Sequence, residues 1–306
     1  MNLLHGLTGR PYPLLIMTTL FWAGNVIASK FAIGHISPFL LTSLRWAAAL
    51  AVLAVIAWPR LVSDWPVIKR HWPFLAMLGA IGFTLFNNLF YLSAHYTTAI
   101  NVAILQAATP LFVFALNFLI FQVRSTRLQL MGFVLTLAGV VLTAANGNLV
   151  GLVGLELNFG DVLMLIATGS YALYSVMLVR KPVMHWLSTI LVLAFSAMLT
   201  SLPFALWEGV EGQIQWPDFQ GWMVVLYTAL FPSILAQLMW IRGVEIIGAN
   251  RAGVFMNLVP IFASGMAVLF LGESFHLYHA VAIALVILGV WMSQRRLRAS
   301  HEVSID

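Results

Sequence analysis

Apolar runs of about 18–24 residues recur along the whole chain, each long enough to cross a hydrocarbon core of roughly 30 Å as a helix. Ten can be read: 13–33, 38–58, 74–93, 99–121, 128–145, 160–179, 187–207, 220–241, 250–271 and 276–294. The connections between them are too short for a soluble domain. Composition agrees, because 61% of the 306 residues are hydrophobic and only 8% are charged. A water-soluble fold of this length does not need that much apolar surface, so the bilayer is the solvent. The expected fold is all-α and integral to the membrane. The first run follows only twelve residues, is too long for a signal-peptide core and lacks an A-x-A cleavage site. It is expected to stay in the mature protein.

The basic residues orient the chain, since Lys and Arg resist translocation. With the amino terminus inside, the inner segments hold 13 of the 15 Lys and Arg, among them Arg60, Lys69, Arg70, Arg180 and Lys181. The outer connections hold none and carry Glu156, Asp161, Glu208, Glu211, Asp218 and Glu273. Both termini are therefore expected in the cytoplasm of a bacterial-type inner (plasma) membrane, with an even number of spans. The net charge of +5 reflects this topology and is no sign of nucleic-acid binding.

An internal repeat appears at a gapless offset of 150: Thr18 aligns with Thr168, Lys30 with Arg180, His35 with His185, Trp72 with Trp222, Asn87 with Gln237, Pro110 with Pro260 and Gly139 with Gly289. Each repeat holds five helices, an odd number, so the second must enter the membrane inverted. The expected architecture is ten helices in two inverted five-helix halves, residues 1–148 and 149–306, a plan that secondary transporters use for alternating access. Pro110 and Pro260 sit about halfway along helices four and nine. Each removes a helical hydrogen bond and frees a carbonyl, of Gln106 and Met256 respectively. A kink satisfied by a nearby Ser or Thr is one reading; matched depths in inverted halves favour hinges or a cavity wall.

Several stretches carry a resemblance: "FWAGNVIASKFAI…ISPFLLTSLRW", "AINVAILQAATPLFVFAL", "GDVLMLIATGSYALYSVMLVRK" and "NRAGVFMNLVPIFASGMAVLFLGE". They resemble the repeated blocks of EamA-type transporters, the ten-helix branch of the drug/metabolite transporter superfamily, over roughly residues 15–293. The first half departs from the pattern, with Val123 where the second half has Glu273. The resemblance implies a carrier of amino acids, metabolites or nucleotide-sugars, often an exporter. Within the family the chain looks most like bacterial exporters of aromatic and related amino acids.

The polar residues within the apolar runs mark candidate sites. Lys30 lies about one turn from the outer end of helix one and can snorkel to the headgroups. Arg45 lies seven residues into helix two, roughly 10 Å deep by helical rise. Both cations are expected to frame the outer vestibule or brace the fold. Deeper down, helix one gives Trp22 and Asn25 on one face, and helix three gives Phe83, Asn87 and Tyr91 with Asn88 beside them. Helix four gives Gln106, helix six Tyr171 and Tyr174, helix eight Ser233, Gln237 and Trp240, and helix nine Asn257. Each amide could simply bond a neighbouring helix. Together with their aromatics they fit a cavity, with Asn87 and Gln237 facing each other across the repeat axis. Such a lining suits a neutral or zwitterionic solute with an apolar side chain and suits a phosphorylated one poorly.

What is missing narrows the reading further. No Asp or Glu lies near mid-membrane; Asp161, at the start of helix six, reads as an N-terminal cap or dipole partner. A proton-coupled pump would normally use a buried carboxylate, so uniport or exchange of like solutes is expected. The absence of cysteine removes disulfides and thiolate sites. Of eight histidines only His276 and His279 fall at helical spacing, with no third ligand nearby; no metal or cofactor is expected. An intramembrane enzyme lacks its motifs, since Asn158 stands where Gly-x-Gly-Asp needs glycine and no H-E-x-x-H occurs. The expected protein is an exporter of neutral amino acids able to act as a monomer, with a drug or lipid flippase on the same fold as the alternative.

Overall fold

The computed structural model describes residues 10–122, 127–145, 147–148, 158–247 and 254–294, and every regular element among them is helical. Helix α1 is Pro11–Phe31, with a proline in its first turn where a missing N–H costs nothing. Helix α2 is Pro38–Gly79, followed by a π-helical turn Ala80–Leu85 and α3, Phe86–Ser93. Helices α4 (Ala99–Ala107) and α5 (Thr109–Phe121) are separated at Ala108, and α6 is Arg127–Ala144. The second half gives α7 (Phe159–Leu178), α8 (Trp186–Val210), α9 (Phe219–Leu230), a π-turn Phe231–Leu235 and α10 (Ala236–Ile247). A 3₁₀ turn Val254–Asn257, α11 (Leu258–Met266), a π-turn Ala267–Leu271 and α12 (Leu277–Gln294) complete it.

Among the described residues, six helical stretches are long and apolar enough to cross a membrane: Pro11–Phe31, Pro38–Ser93, Ala99–Phe121, Phe159–Leu178, Trp186–Val210 and Phe219–Trp240. Three shorter apolar helices join them, Leu130–Thr143, Phe255–Leu271 and Leu277–Met292. The connection expected at 59–73 is helical instead. Helical backbone runs from Pro38 to Ser93, 56 residues, through Pro59 and Pro66, and departs from helical angles within α2 only at His71 (φ −116°, ψ 16°). Pro73 explains the position, because its ring cannot donate to Lys69 and crowds the preceding turn.

The halves of the chain are interleaved rather than side by side. The most extensive packing joins α2 to α8 and α6 to α12, with α1 against α10 and α11, and α7 against α3 and α5. Two glycines let α6 and α12 approach closely. A Cβ on Gly139 would lie 2.9 Å from the Ala282 carbonyl oxygen and Val286, and one on Gly289 would lie 2.3 Å from Thr136 Oγ1 and 2.5 Å from the Gly132 carbonyl oxygen. Residues 132 and 136 are 282 and 286 shifted by the repeat offset of 150, so each glycine meets the counterpart of the other's partners. The π-turns at 80–85 and 231–235 also fall in that register.

Candidate functional site

The interior polar site is built around Arg45, the deep cation of α2. Its side chain points into the protein, with 5% of the residue exposed. Nε donates to Ser233 Oγ at 2.7 Å, and Nη1 donates to Asn87 Oδ1 at 2.7 Å and to the Tyr91 hydroxyl at 2.5 Å. The Tyr91 hydroxyl in turn donates to Asn25 Oδ1 at 3.1 Å, and the Asn87 amide donates to the Phe83 carbonyl. Ser233 lies in the π-turn Phe231–Leu235, and Asn87 lies just after the π-turn Ala80–Leu85. One guanidinium therefore ties α1, α2, α3 and the second-half π-turn together. Its partners are neutral oxygens inside the protein, which fits the expectation that this cation braces the fold.

A train of rings leads away from the guanidinium. Arg45 Cζ is 5.3 Å from the centre of the Trp46 ring. Trp46 stacks on Phe83 at 4.5 Å and 4°, Phe83 meets Tyr174 at 5.5 Å, Tyr174 meets Tyr171 at 5.4 Å and Tyr171 meets Phe86 at 5.1 Å. Close by in sequence, the buried Asn88 side chain has neither its nitrogen nor its oxygen hydrogen-bonded, and the Trp46 indole N–H is also without a partner. Buried polar atoms left open in this way call for water or a ligand.

The sequence-derived set thus divides. Asn25, Phe83, Asn87, Tyr91, Tyr171 and Tyr174 join this connected site. Trp22 and Trp240 form a separate pair, 5.5 Å between ring centres, with the Trp22 indole N–H donating to the Pro232 carbonyl at 3.4 Å. Asn87 and Gln237 are not hydrogen-bonded to each other; Ser233 supplies the second-half contact in place of Gln237. Gln106 has a buried side-chain oxygen without a partner, and Asn257 is buried at the end of the 3₁₀ turn.

The prolines also differ from expectation. Pro110 lies in the first turn of the new helix α5, not inside a continuous one, and the Gln106 carbonyl is not free, because Thr109 Oγ1 donates to it at 2.6 Å. Pro260 is the third residue of α11, after the 3₁₀ turn.

The rim carries its own polar network. Glu208, within α8, accepts from Ser37 Oγ at 2.7 Å and from the backbone N–H of Phe39 and Leu40 at 3.0 Å, satisfying the buried start of α2. Glu273 does the same for α4, accepting from Ala99 N at 2.7 Å and Ile100 N at 3.1 Å. Lys30 donates to the carbonyls of Ala94, at 2.6 Å, and Thr97 rather than reaching for headgroups. Burial and then the Lys30 ammonium hold the neighbouring His95 below the usual imidazole range. Asp161 is not the cap of α7. Asn158 Oδ1 takes the Gly160 N–H at 2.8 Å, while Asp161 accepts from Thr97 Oγ1 and keeps its other oxygen buried and unpartnered.

Arg45, expected to frame a vestibule or brace the fold, does tie elements together, and the signal was its depth: a charge there is expensive unless something inside receives it. Glu208 was missed. Ser37-Pro38 announces a helix start whose free N–H groups need an acceptor, but nothing local names Glu208, 171 residues from Ser37.

Known proteins now place the chain. The model of the EamA-like transporter family matches twice, over residues 10–145 and 158–294. "Uncharacterized transporter YyaM" of Bacillus subtilis is 27% identical over 289 residues, covering 91% of this chain and 92% of its own. An "Uncharacterized transporter" of Archaeoglobus fulgidus is 29% identical over 290 residues, covering 94% and 98%. "Uncharacterized inner membrane transporter YedA" of Escherichia coli is 24% identical over 223 residues, covering 71% and 68%. One crystal structure shares the fold with a TM-score of 0.62 over 96% of this chain and 99% of the other, at 19% identity. The chain belongs to the EamA-like transporter family and is a multi-pass membrane transporter.

Proposed function

We propose that this transporter carries amino acids, aromatic and other neutral ones, or closely related small metabolites out of the cytoplasm by alternating access, as a uniporter or exchanger. In this reading the two matched blocks are inverted five-helix halves. The long stretch Pro38–Ser93 counts as two spans divided near His71, and both termini are cytoplasmic. The reciprocal glycine contacts of α6 and α12 and the paired π-turns support the inverted repeat. The inner-membrane placement in the name of the Escherichia coli relative supports the location.

The observation that carries the substrate reading is the meeting of Asn25, Asn87 and the Tyr91 hydroxyl with the ring train Trp46–Phe83–Tyr174–Tyr171–Phe86. Amide oxygens can hold an ammonium group and flat rings an apolar or aromatic side chain. Trp22, Gln106, Gln237, Trp240 and Asn257 complete the lining as the halves rock, with the breaks at Pro110 and Pro260 as hinges. No carboxylate takes part in the Arg45 network among the described residues, which supports flux that follows the solute gradient.

The test is uptake by proteoliposomes of a panel of labelled amino acids, with and without an imposed pH gradient. The reading expects saturable uptake of phenylalanine and other neutral amino acids, little changed by the gradient. Strict dependence on a proton gradient would remove the uniport or exchange mechanism, and transport of lipids or hydrophobic cations alone would remove the substrate class.

A further inference from the structure

We infer that Arg45 is the anion anchor of the transport site and receives the carboxylate of the solute. The inference rests on the reading of the solute as an amino acid or a similar metabolite, and it adds which atom of the protein recognises which group.

The first support is charge balance. A guanidinium cannot shed its proton, so burial cannot neutralise it. A buried charge is ordinarily paired with an opposite one. Arg45 has only neutral partners, Ser233, Asn87 and Tyr91. The acids whose contacts are described are engaged elsewhere: Asp64 with the His185 N–H, Asp161 with Thr97, Glu208 with the start of α2, Asp218 with His35 and Gly221, and Glu273 with the start of α4. Among the described residues this cation is surrounded by dipoles and meets no counter-charge.

Geometry gives the second support. Hydrogen bonds to the described residues use Nε and Nη1, leaving the Nη2 donors without a protein partner among them. A planar guanidinium edge suits a carboxylate. Among the described residues the network holds one cation, so one negative charge balances it, as a carboxylate supplies and a phosphate dianion would exceed. The rings of Trp46 and Phe83 begin beside the guanidinium, so a solute held there by its carboxylate can lay an apolar side chain along them. Arg45 also bridges to a π-turn of the second half through Ser233. Such turns are frequent where a helix must yield at a functional site.

The experiment uses three matched probes on the purified full-length protein: L-phenylalanine, its amide, which lacks the carboxylate, and 3-phenylpropionate, which lacks the ammonium. Binding is read as thermal stabilisation in detergent and transport as proteoliposome flux. Phenylalanine and phenylpropionate should both stabilise the protein, and the amide should bind about tenfold more weakly or worse, the factor for losing one charge-assisted hydrogen bond. Arg45→Gln should remove that preference, and Arg45→Lys should restore part of it.

Equal binding of phenylalanine and its amide overturns the anchor while leaving the amino-acid reading intact. Binding of phenylpropionate with no flux of any amino acid overturns the amino-acid reading and leaves the anchor. Binding of none of the three overturns the anchor. If Arg45→Gln does not fold, the three-probe comparison on the unmodified protein still decides.

Discussion

The rim and the centre of this protein handle charge in opposite ways. At the rim, Glu208 and Glu273 each reach from one half of the chain to the first N–H groups of a helix in the other half. There a carboxylate meets the positive end of a helix, and the charge is locally answered. At the centre, Arg45 is surrounded by amide, hydroxyl and ring, with no acid in contact among the described residues. The rim contacts fasten helices; the central one keeps a charge in reserve. Variants at the rim should therefore change stability, and variants at the centre should change transport.

The largest stability loss is expected from Glu208→Ala. It leaves the Ser37 hydroxyl and two backbone N–H groups buried without an acceptor, costing on the order of 3 kcal/mol, read as a fall in melting temperature in detergent. Flux per folded molecule should change little, and a selective loss of flux at unchanged stability would break the comparison. Tyr91→Phe comes next, at about 1–3 kcal/mol, because the bridge from Arg45 to Asn25 disappears. Unlike the rim variant, it should also lower phenylalanine flux several-fold once normalised to folded protein. Glu273→Gln keeps one amide oxygen for one of the two N–H groups of Ala99 and Ile100 and turns its NH2 toward the other, so about 1–2 kcal/mol is expected.

The smallest effect belongs to the exposed pair His35–Asp218, 2.6 Å apart. The Gly221 backbone N–H, and then His35, hold the Asp218 carboxyl below its ordinary value. A carboxylate with a lowered folded-state pKa adds stability that is present above its unfolded value, near about 3.9. That contribution fades as pH falls through the lowered value. Asp218→Asn should therefore melt slightly below the unmodified protein at neutral pH, and the two should converge as the pH falls through the lowered value. A gap of unchanged size at low pH would exclude this origin.

The sequence exposed what depends on period and composition. The apolar runs gave the helices, and the offset of 150 led to Gly139 and Gly289, whose reciprocal close contacts need both partners small. Asn25, Asn87 and Tyr91 were legible as interior polar residues because polar side chains in apolar runs must find partners. Their common partner was not legible. Whether Arg45 turns toward lipid headgroups or toward Ser233 depends on which helix packs against α2, and no local pattern encodes that. The 59–73 segment was misread for a related reason: its charges and prolines look like a loop, but Pro59 and Pro66 are accommodated in helical backbone and only His71 departs from it. At Pro110 the reading that a nearby Ser or Thr satisfies the freed carbonyl fits the structure, with Thr109 as the local residue that does so.

The most direct test of the difference between rim and centre is phenylalanine counterflow in proteoliposomes, measured for Arg45→Gln and Glu208→Gln at matched amounts of folded protein, with melting temperatures taken on the same preparations. The account predicts that Arg45→Gln loses counterflow at least about tenfold per folded molecule, a loss that its change in melting temperature does not account for. It predicts that Glu208→Gln melts earlier and still counterflows. Normal counterflow in a well-folded Arg45→Gln protein would contradict it, and would make Arg45 a brace of the fold.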